Sequence, residues 1–323
     1  MRELATKFVL LACAALATGC ATTGAQDTQA AQSTEGPDAQ TAYYDGEPEV
    51  VFSTEFPVES AEEAIARGDS ALKDGDEDLA LYMYVRAYDM QKENIYALMR
   101  IAAIHEARDS SLMAARAYAN VLSVEPNHAP ALQALGLIYL QQQRHDEARD
   151  LLERAIESDA SLWRAHNGLG IIADLEGEYQ KAEAAYNAAL QANPDDAGLL
   201  NNRGYSLYLQ GKYTEAERDF RAAARQGLEK AWLNLGLVLA RQKHYADAVQ
   251  LMKRTAAAEV AYNDVGYIAM RQGDYAVAER YFEKAIRVSP RYFEEARLNL
   301  DKVQEYLLAE RRQNKVILGN ESG

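Results

Sequence analysis

The sequence predicts an all-α solenoid of about seven helix pairs over residues 61–292, closed by a further helix over 293–312. Three observations predict it. Apolar residues recur at helical spacing in short runs that end at a break, as in Ala165–Gly177 and then Tyr179–Ala192. The chain is self-similar at a period near 34 residues, and a fixed period of that size marks a stacked repeat. Each unit also repeats one internal pattern: a small residue in mid first helix, an alanine at position twenty, and a large residue four places later.

The units follow in order. The first starts at Ala61 and carries Gly68, Ala80 and Tyr84 at those three places; the second starts at Ile95, with Ala102, Ala114 and Tyr118. The third starts at Ala129 (Gly136, Ala148, Leu152) and the fourth at Trp163 (Gly170, Ala182, Tyr186). The fifth starts at Ala197 (Gly204, Ala216, Phe220), the sixth at Glu229 (Gly236, Ala248, Met252) and the seventh at Glu259 (Gly266, Ala278, Phe282). Pro126, Pro194 and Pro290 mark three of the joints. Glycine inside a helix costs about 1 kcal/mol relative to alanine, so its return at one register needs a packing reason. The expectation is glycine against alanine across each pair, with the large residue filling the gap to the next unit.

Two units depart from the period. The fifth has 32 residues and the sixth 30, against 34 elsewhere, and the expected loss is of loop residues after the second helix. At their joint, "RQGLEKAW" replaces a proline joint with Gly227 and predicts a locally altered stacking angle. "FEEARLNLDKVQEYLLAERR" (293–312) reads as an amphipathic helix that covers the last apolar face, as a terminal element of a repeat array must. The tail, 313–323, is expected to be disordered.

These repeated residues resemble the tetratricopeptide repeat. That resemblance implies a right-handed superhelix whose first helices present positions two, five, nine and twelve to a concave groove. Position two supplies Arg164 and Lys230, and position five supplies Asn167, Asn201 and Asn263. Position nine gives Leu137, Tyr205, Leu237 and Tyr267, and position twelve gives Leu140, Tyr208 and Met270. Amides pair with a guest's backbone, while Tyr, Leu and Met offer apolar contact, which suits a helical or extended peptide. The pattern departs from the carboxylate clamp of chaperone-type members, which has Lys at position five and Asn at position nine. Recognition of an acidic C-terminus is therefore not expected.

The beginning of the chain reads differently. Arg2 and Lys7 precede a ten-residue apolar stretch, "FVLLACAALA" (Phe8–Ala17). That is about half of what a membrane-spanning helix needs, so residues 1–19 read as a cleaved signal peptide. "LATGC" (Leu16–Cys20) resembles the bacterial lipobox, with Ala17 where Leu is preferred. The resemblance implies cleavage before Cys20, acylation of its thiol and, with Ala21 next, transfer to the outer membrane facing the periplasm. Two or more acyl chains anchor a protein stably where one does not. Removing residues 1–19 takes away Arg2, Lys7 and Glu3, shifting the net charge from −15 to −16, and Cys13 goes with them. The mature chain then has no free thiol, disulfide or cysteine-bound metal. After Cys20, residues 21–60 hold eight acidic residues and no Lys or Arg. So polar a stretch cannot bury enough apolar surface to order itself and reads as a flexible acidic tether.

No catalytic, cofactor or metal constellation is legible. "GLGIIA" (Gly168–Ala173) imitates a dinucleotide fingerprint, but that motif works only between a strand and a helix. "DGDED" (Asp74–Asp78) begins like a calcium loop, yet Leu79 stands at its sixth position and Val85 at its twelfth. The five histidines, at 105, 128, 145, 166 and 244, do not group at ligand spacing on one helix. With 49 acidic residues against 34 basic, the chain has no surplus of cations to displace counterions from nucleic acid. No small-molecule substrate is expected either.

"NNRGYSLYLQGKYTEAERDFRAAA" (201–224), then the shortened units, then "YNDVGYIAMRQGDYAVAERYFEKAIRVSPRYFEEARLNLDKV" (262–303) carry a further likeness. With the lipobox and tether, the chain resembles the lipoproteins of pilus and secretin assembly, of the TadD type in Flp, or tight-adherence, systems; pilotins of type IV pili share the architecture. The resemblance implies a scaffold, not an enzyme, that captures a protein segment from a secretin or another pilus-assembly component. The alternative is a generic envelope adaptor for a cell-wall hydrolase, a protease, or polysaccharide-export or secretion machinery.

Overall fold

The structure, a computed structural model, describes the backbone of residues 58–320 and the side chains as far as residue 313. The signal peptide, Cys20, nearly all of the tether and residues 321–323 lie outside the described residues. Within them the chain is all-helical, with fifteen α-helices and no strand. In chain order these are α1 (Ala61–Asp74), α2 (Glu77–Met90), α3 (Ile95–Ala107), α4 (Ser111–Val124), α5 (Ala129–Gln141), α6 (His145–Ser158) and α7 (Trp163–Glu176). They continue with α8 (Tyr179–Ala192), α9 (Ala197–Leu209), α10 (Tyr213–Arg225), α11 (Lys230–Arg241) and α12 (Tyr245–Met252). The last three are α13 (Ala258–Arg271), α14 (Tyr275–Val288) and α15 (Glu294–Asn320). Two compact bodies divide after Leu175.

Local chemistry sets the helix ends. Ser60, Asp76 and Asn94 each accept a hydrogen bond from the amide three residues on, at 2.9–3.1 Å, in the N-terminal body, and Asp196 does so at 2.8 Å for α9. Such caps satisfy amides that the first helical turn leaves without partners. Every turn inside a pair reverses through one left-handed residue at position fifteen: Gly75, Asp109, Gln143, Gly177, Gly211, Lys243 and Gly273. Four are glycine, which adopts this conformation without a Cβ penalty, and the other three bear it with a side chain.

Packing inside the pairs corrects one expectation. Gly68, Gly136, Gly204, Gly236 and Gly266 lie under the large residue of the same unit. A Cβ at Gly68 would stand 2.8 Å from the Tyr84 ring, and one at Gly204 or Gly266 would stand 2.9 Å from Phe220 or Phe282. The alanine contributes its backbone: the Ala248 carbonyl oxygen would be 3.1 Å from a Cβ at Gly236, where Met252 already reaches within 2.3 Å. Leu152 does both jobs, lying 2.9 Å from the Cβ position of Gly136 and 2.8 Å from that of Gly168 in the next unit. A flat ring or long side chain laid over bare backbone fills volume that no second side chain could share.

The sixth unit is short for a different reason than the sequence implies. Its second helix, α12, has only eight residues, where the other second helices have 13 or 14. The deletion removes helix, not loop. After Val288 the chain turns into α15, whose Ala296, Leu300 and Val303 are buried, the last two against Met270 and Phe282. This helix covers the final apolar face and runs on to Asn320, through much of the tail expected to be disordered.

Candidate binding face on the first helices

The nine groove residues anticipated from the repeat positions fall into different environments. Arg164 and Asn167 belong to α7 in the N-terminal body, and the other seven lie in the C-terminal body. Arg164 is exposed, its guanidinium 5.0 Å from the Trp163 ring centroid, and Asn167 is buried.

The position-five asparagines of the C-terminal body are turned inward. Asn234 Nδ2 donates to Asn201 Oδ1 at 2.8 Å, with both side chains buried, and Asn299 Nδ2 donates to Asn263 Oδ1 at 3.0 Å. These bonds tie α9 to α11, the first helices of consecutive pairs, and α13 to the closing helix α15. A buried amide needs such a partner, so these groups serve the fold and are not free for a guest. Leu237 and Met270 are buried as well, as part of the core.

What stays accessible is aromatic. Tyr205, Tyr208 and Tyr267 are half-buried, with their other faces against the core clusters beneath them. Tyr205 and Tyr208 stack at 6.1 Å between ring centroids, and Tyr208 meets Tyr213 at 5.7 Å. Packed rings lose little further freedom when a partner arrives, which suits them as binding anchors.

One residue of this face was missed from the sequence. Arg241, the last residue of α11, donates from Nε to the Tyr208 hydroxyl at 3.0 Å. Tyr208, Tyr213 and Tyr267 all lie close enough to act on its charge. Burial raises the Tyr208 hydroxyl above its ordinary range, and Arg241 opposes that shift. Arg241 stands at position thirteen, outside the four positions used to find the face. The signal available was the stripe Lys230, Asn234, Leu237, Arg241, whose spacing of four, three and four keeps one side of a helix. Lys230 is half-buried and burial holds its amine below the usual lysine range.

Among the described residues no His, Cys, Asp and Glu group is placed to hold a metal, and no helix is long and apolar enough to cross a membrane.

Stacked helix pairs with glycine under an aromatic or aliphatic cover, and a tyrosine-lined first-helix face, define a helical-repeat protein. The tetratricopeptide-repeat family model matches residues 111–162, 134–197 and 201–264, and a second model of the same repeat matches 260–292. Together they span more than half of the chain's 323 residues. The chain belongs to the tetratricopeptide-repeat family.

Curated relatives give further likenesses. The chain is 30% identical over 154 residues to the type IV pilus assembly protein PilF of Pseudomonas aeruginosa, covering 43% of this chain and 61% of PilF. It is also 30% identical over 125 residues to the general transcriptional corepressor ssn6 of Schizosaccharomyces pombe, covering 37% of this chain and 11% of the corepressor. The chain thus spans about three fifths of the first relative and a tenth of the second. Among solved structures, that of Pseudomonas aeruginosa PilF matches with a TM-score of 0.50 at 18% identity, over 67% of this chain and 98% of PilF. A crystal structure of MamA matches with a TM-score of 0.45 at 24% identity, over 51% of this chain and 96% of MamA.

Proposed function

We propose that the protein is a membrane-tethered scaffold that captures a protein segment during assembly or localisation of a Flp or type IV-like pilus secretin. The observation that carries this reading is the cluster of Tyr205, Tyr208 and Tyr267 around Arg241 on the first-helix face of the C-terminal body. It offers pre-ordered aromatic surface and a hydrogen-bonding cation, the residue types in which interface energy concentrates. The 30% identity to a type IV pilus assembly protein supports the pilus setting. The lipobox-like run ending at Cys20 supports a lipid anchor in the outer membrane. A tethered face would meet membrane-embedded partners at raised effective concentration.

Equal identity to a transcriptional corepressor favours a second reading, in which the likeness lies in the repeat alone and the protein is a general envelope adaptor.

One experiment separates them. The tagged full-length chain, the triple variant Tyr205→Ala/Tyr208→Ala/Tyr267→Ala and Cys20→Ser are expressed in the source cell, and captured proteins are identified by mass spectrometry. The expected result is a pilus secretin or assembly component with the wild type, its loss with the folded triple variant, and loss of membrane association with Cys20→Ser. Full capture by the triple variant rules out the face. Capture of a hydrolase, protease or exporter in place of pilus components establishes the adaptor reading.

A further inference from the structure

Helix α11 carries a cation at each end of one stripe, Lys230 and Arg241. Eleven residues are about three helical turns, so the two side chains lie on one side of the helix, about 16 Å apart along its axis. Both are half-buried. Among the described residues neither has a carboxylate at ion-pair distance. Among the described residues the Arg241 side chain donates to the Tyr208 phenol alone, through Nε, which leaves both terminal guanidinium nitrogens open.

This is unusual for the chain. Burial is what sets them apart: other cations of the same body that lack a carboxylate partner, Arg254 and Arg271 among them, are exposed, while the half-buried Arg203 and several exposed cations are matched to carboxylates. Arg203 holds Asp219 at 2.7 Å, Lys212 holds Glu183 at 2.7 Å, Arg221 holds Glu217 at 2.7 Å and Lys243 holds Asp274 at 3.0 Å. Drawing a charge partly out of water costs free energy that a counter-charge offsets. Two such cations on one stripe, one of them beside Tyr208, are left without that offset by the described residues.

Resting on the proposed segment-binding face, we infer that the bound segment is acidic, with an Asp or Glu side chain forked onto Arg241 and a second acidic side chain reaching Lys230. The planar guanidinium fits a side-chain carboxylate through two parallel bonds, while the lysine acts as a point charge. An extended segment rises about 3.3 Å per residue, so the two acids stand about five residues apart. Apolar side chains between them lie on the tyrosines. The source of the carboxylate is a side chain within the segment: the clamp lysine that would hold a chain terminus is absent, asparagine standing at that position in Asn201 and Asn263.

The test uses the full-length chain and a random library of twelve-residue displayed peptides. Peptides selected on the wild type are expected to carry two acids about five residues apart around apolar residues. The strongest is then synthesised and its affinity measured by fluorescence anisotropy. Arg241→Gln, and separately replacement of the peptide acid by its amide, should each weaken binding about ten-fold, and both together no more than either alone. Arg241→Lys should recover part of the loss. Lys230→Met should couple in the same way to the second acid. Amidation of the peptide C-terminus should change nothing. Thermal unfolding reports whether each variant is folded. Selection of peptides without acidic residues, or additive losses in the two cycles, overturns the inference while leaving the face intact. Loss of binding on C-terminal amidation overturns the side-chain assignment. Undiminished selection on the Tyr205→Ala/Tyr208→Ala/Tyr267→Ala variant instead removes the face, and the acidic-segment inference with it.

Discussion

Asn234 Nδ2 donates to Asn201 Oδ1 at 2.8 Å inside the C-terminal body, joining the first helices of two consecutive repeats through a pair of buried amides. Removing one partner leaves the other dehydrated and unbonded, which costs about 1–3 kcal/mol. Asn201→Ala and Asn234→Ala should therefore each lower the urea midpoint. The double variant Asn201→Leu/Asn234→Leu should recover much of that loss, because both unsatisfied groups are gone. A double leucine no more stable than the worse single alanine would show that the pair acts through shape and not through hydrogen bonding.

Gly236 has less room than Gly68, Gly136, Gly204 or Gly266. A Cβ there would stand 2.3 Å from Met252 Cγ and 3.1 Å from the Ala248 carbonyl oxygen. The methionine is flexible and moves, but the backbone of α12 does not. Gly236→Ala should destabilise by about 1–3 kcal/mol through overpacking. Adding Met252→Ala should not add the full cost of a core truncation, since the new methyl group fills part of the space. Chemical denaturation of the three variants measures this coupling directly.

Asp264 makes stability depend on pH. Burial, and then the nearby Glu295 carboxylate, push its carboxyl up to about 7 from the ordinary 3.8, while Asn263 opposes them. Between those values the folded chain keeps a proton that the unfolded chain has released. The contribution of this group therefore favours folding least above pH 7 and recovers as pH falls toward 4. Asp264→Asn should stabilise the protein at pH 8 by on the order of 1–2 kcal/mol and change little near pH 4. Equal stability of variant and wild type at pH 8 would contradict this assignment.

The helical repeat was legible in the sequence because its signal is local and redundant. Gly204 with Phe220, and Gly266 with Phe282, each return an identical spacing inside a segment shorter than 20 residues. A helix with one bare spot and a helix with one large cover have few other ways to pack, so period and composition together determined the fold class and the helix starts. The tyrosines of the candidate face followed from the same register.

Only the tertiary structure decided what each polar or apolar residue on that register is for. Asn201 and Tyr205 lie one helical turn apart on α9, and from sequence both read as guest contacts. The structure closes Asn201 onto Asn234 of α11, a partner 33 residues away, and leaves Tyr205 half-exposed. Arg241 likewise gains its meaning from Tyr208, 33 residues earlier, and from the absence of any carboxylate among its described neighbours. Period and composition specify the side of a helix. Whether a group there meets water, a guest or another helix depends on the neighbouring repeat, because burial and hydrogen-bond partnership are properties of two elements brought together, not of either one alone.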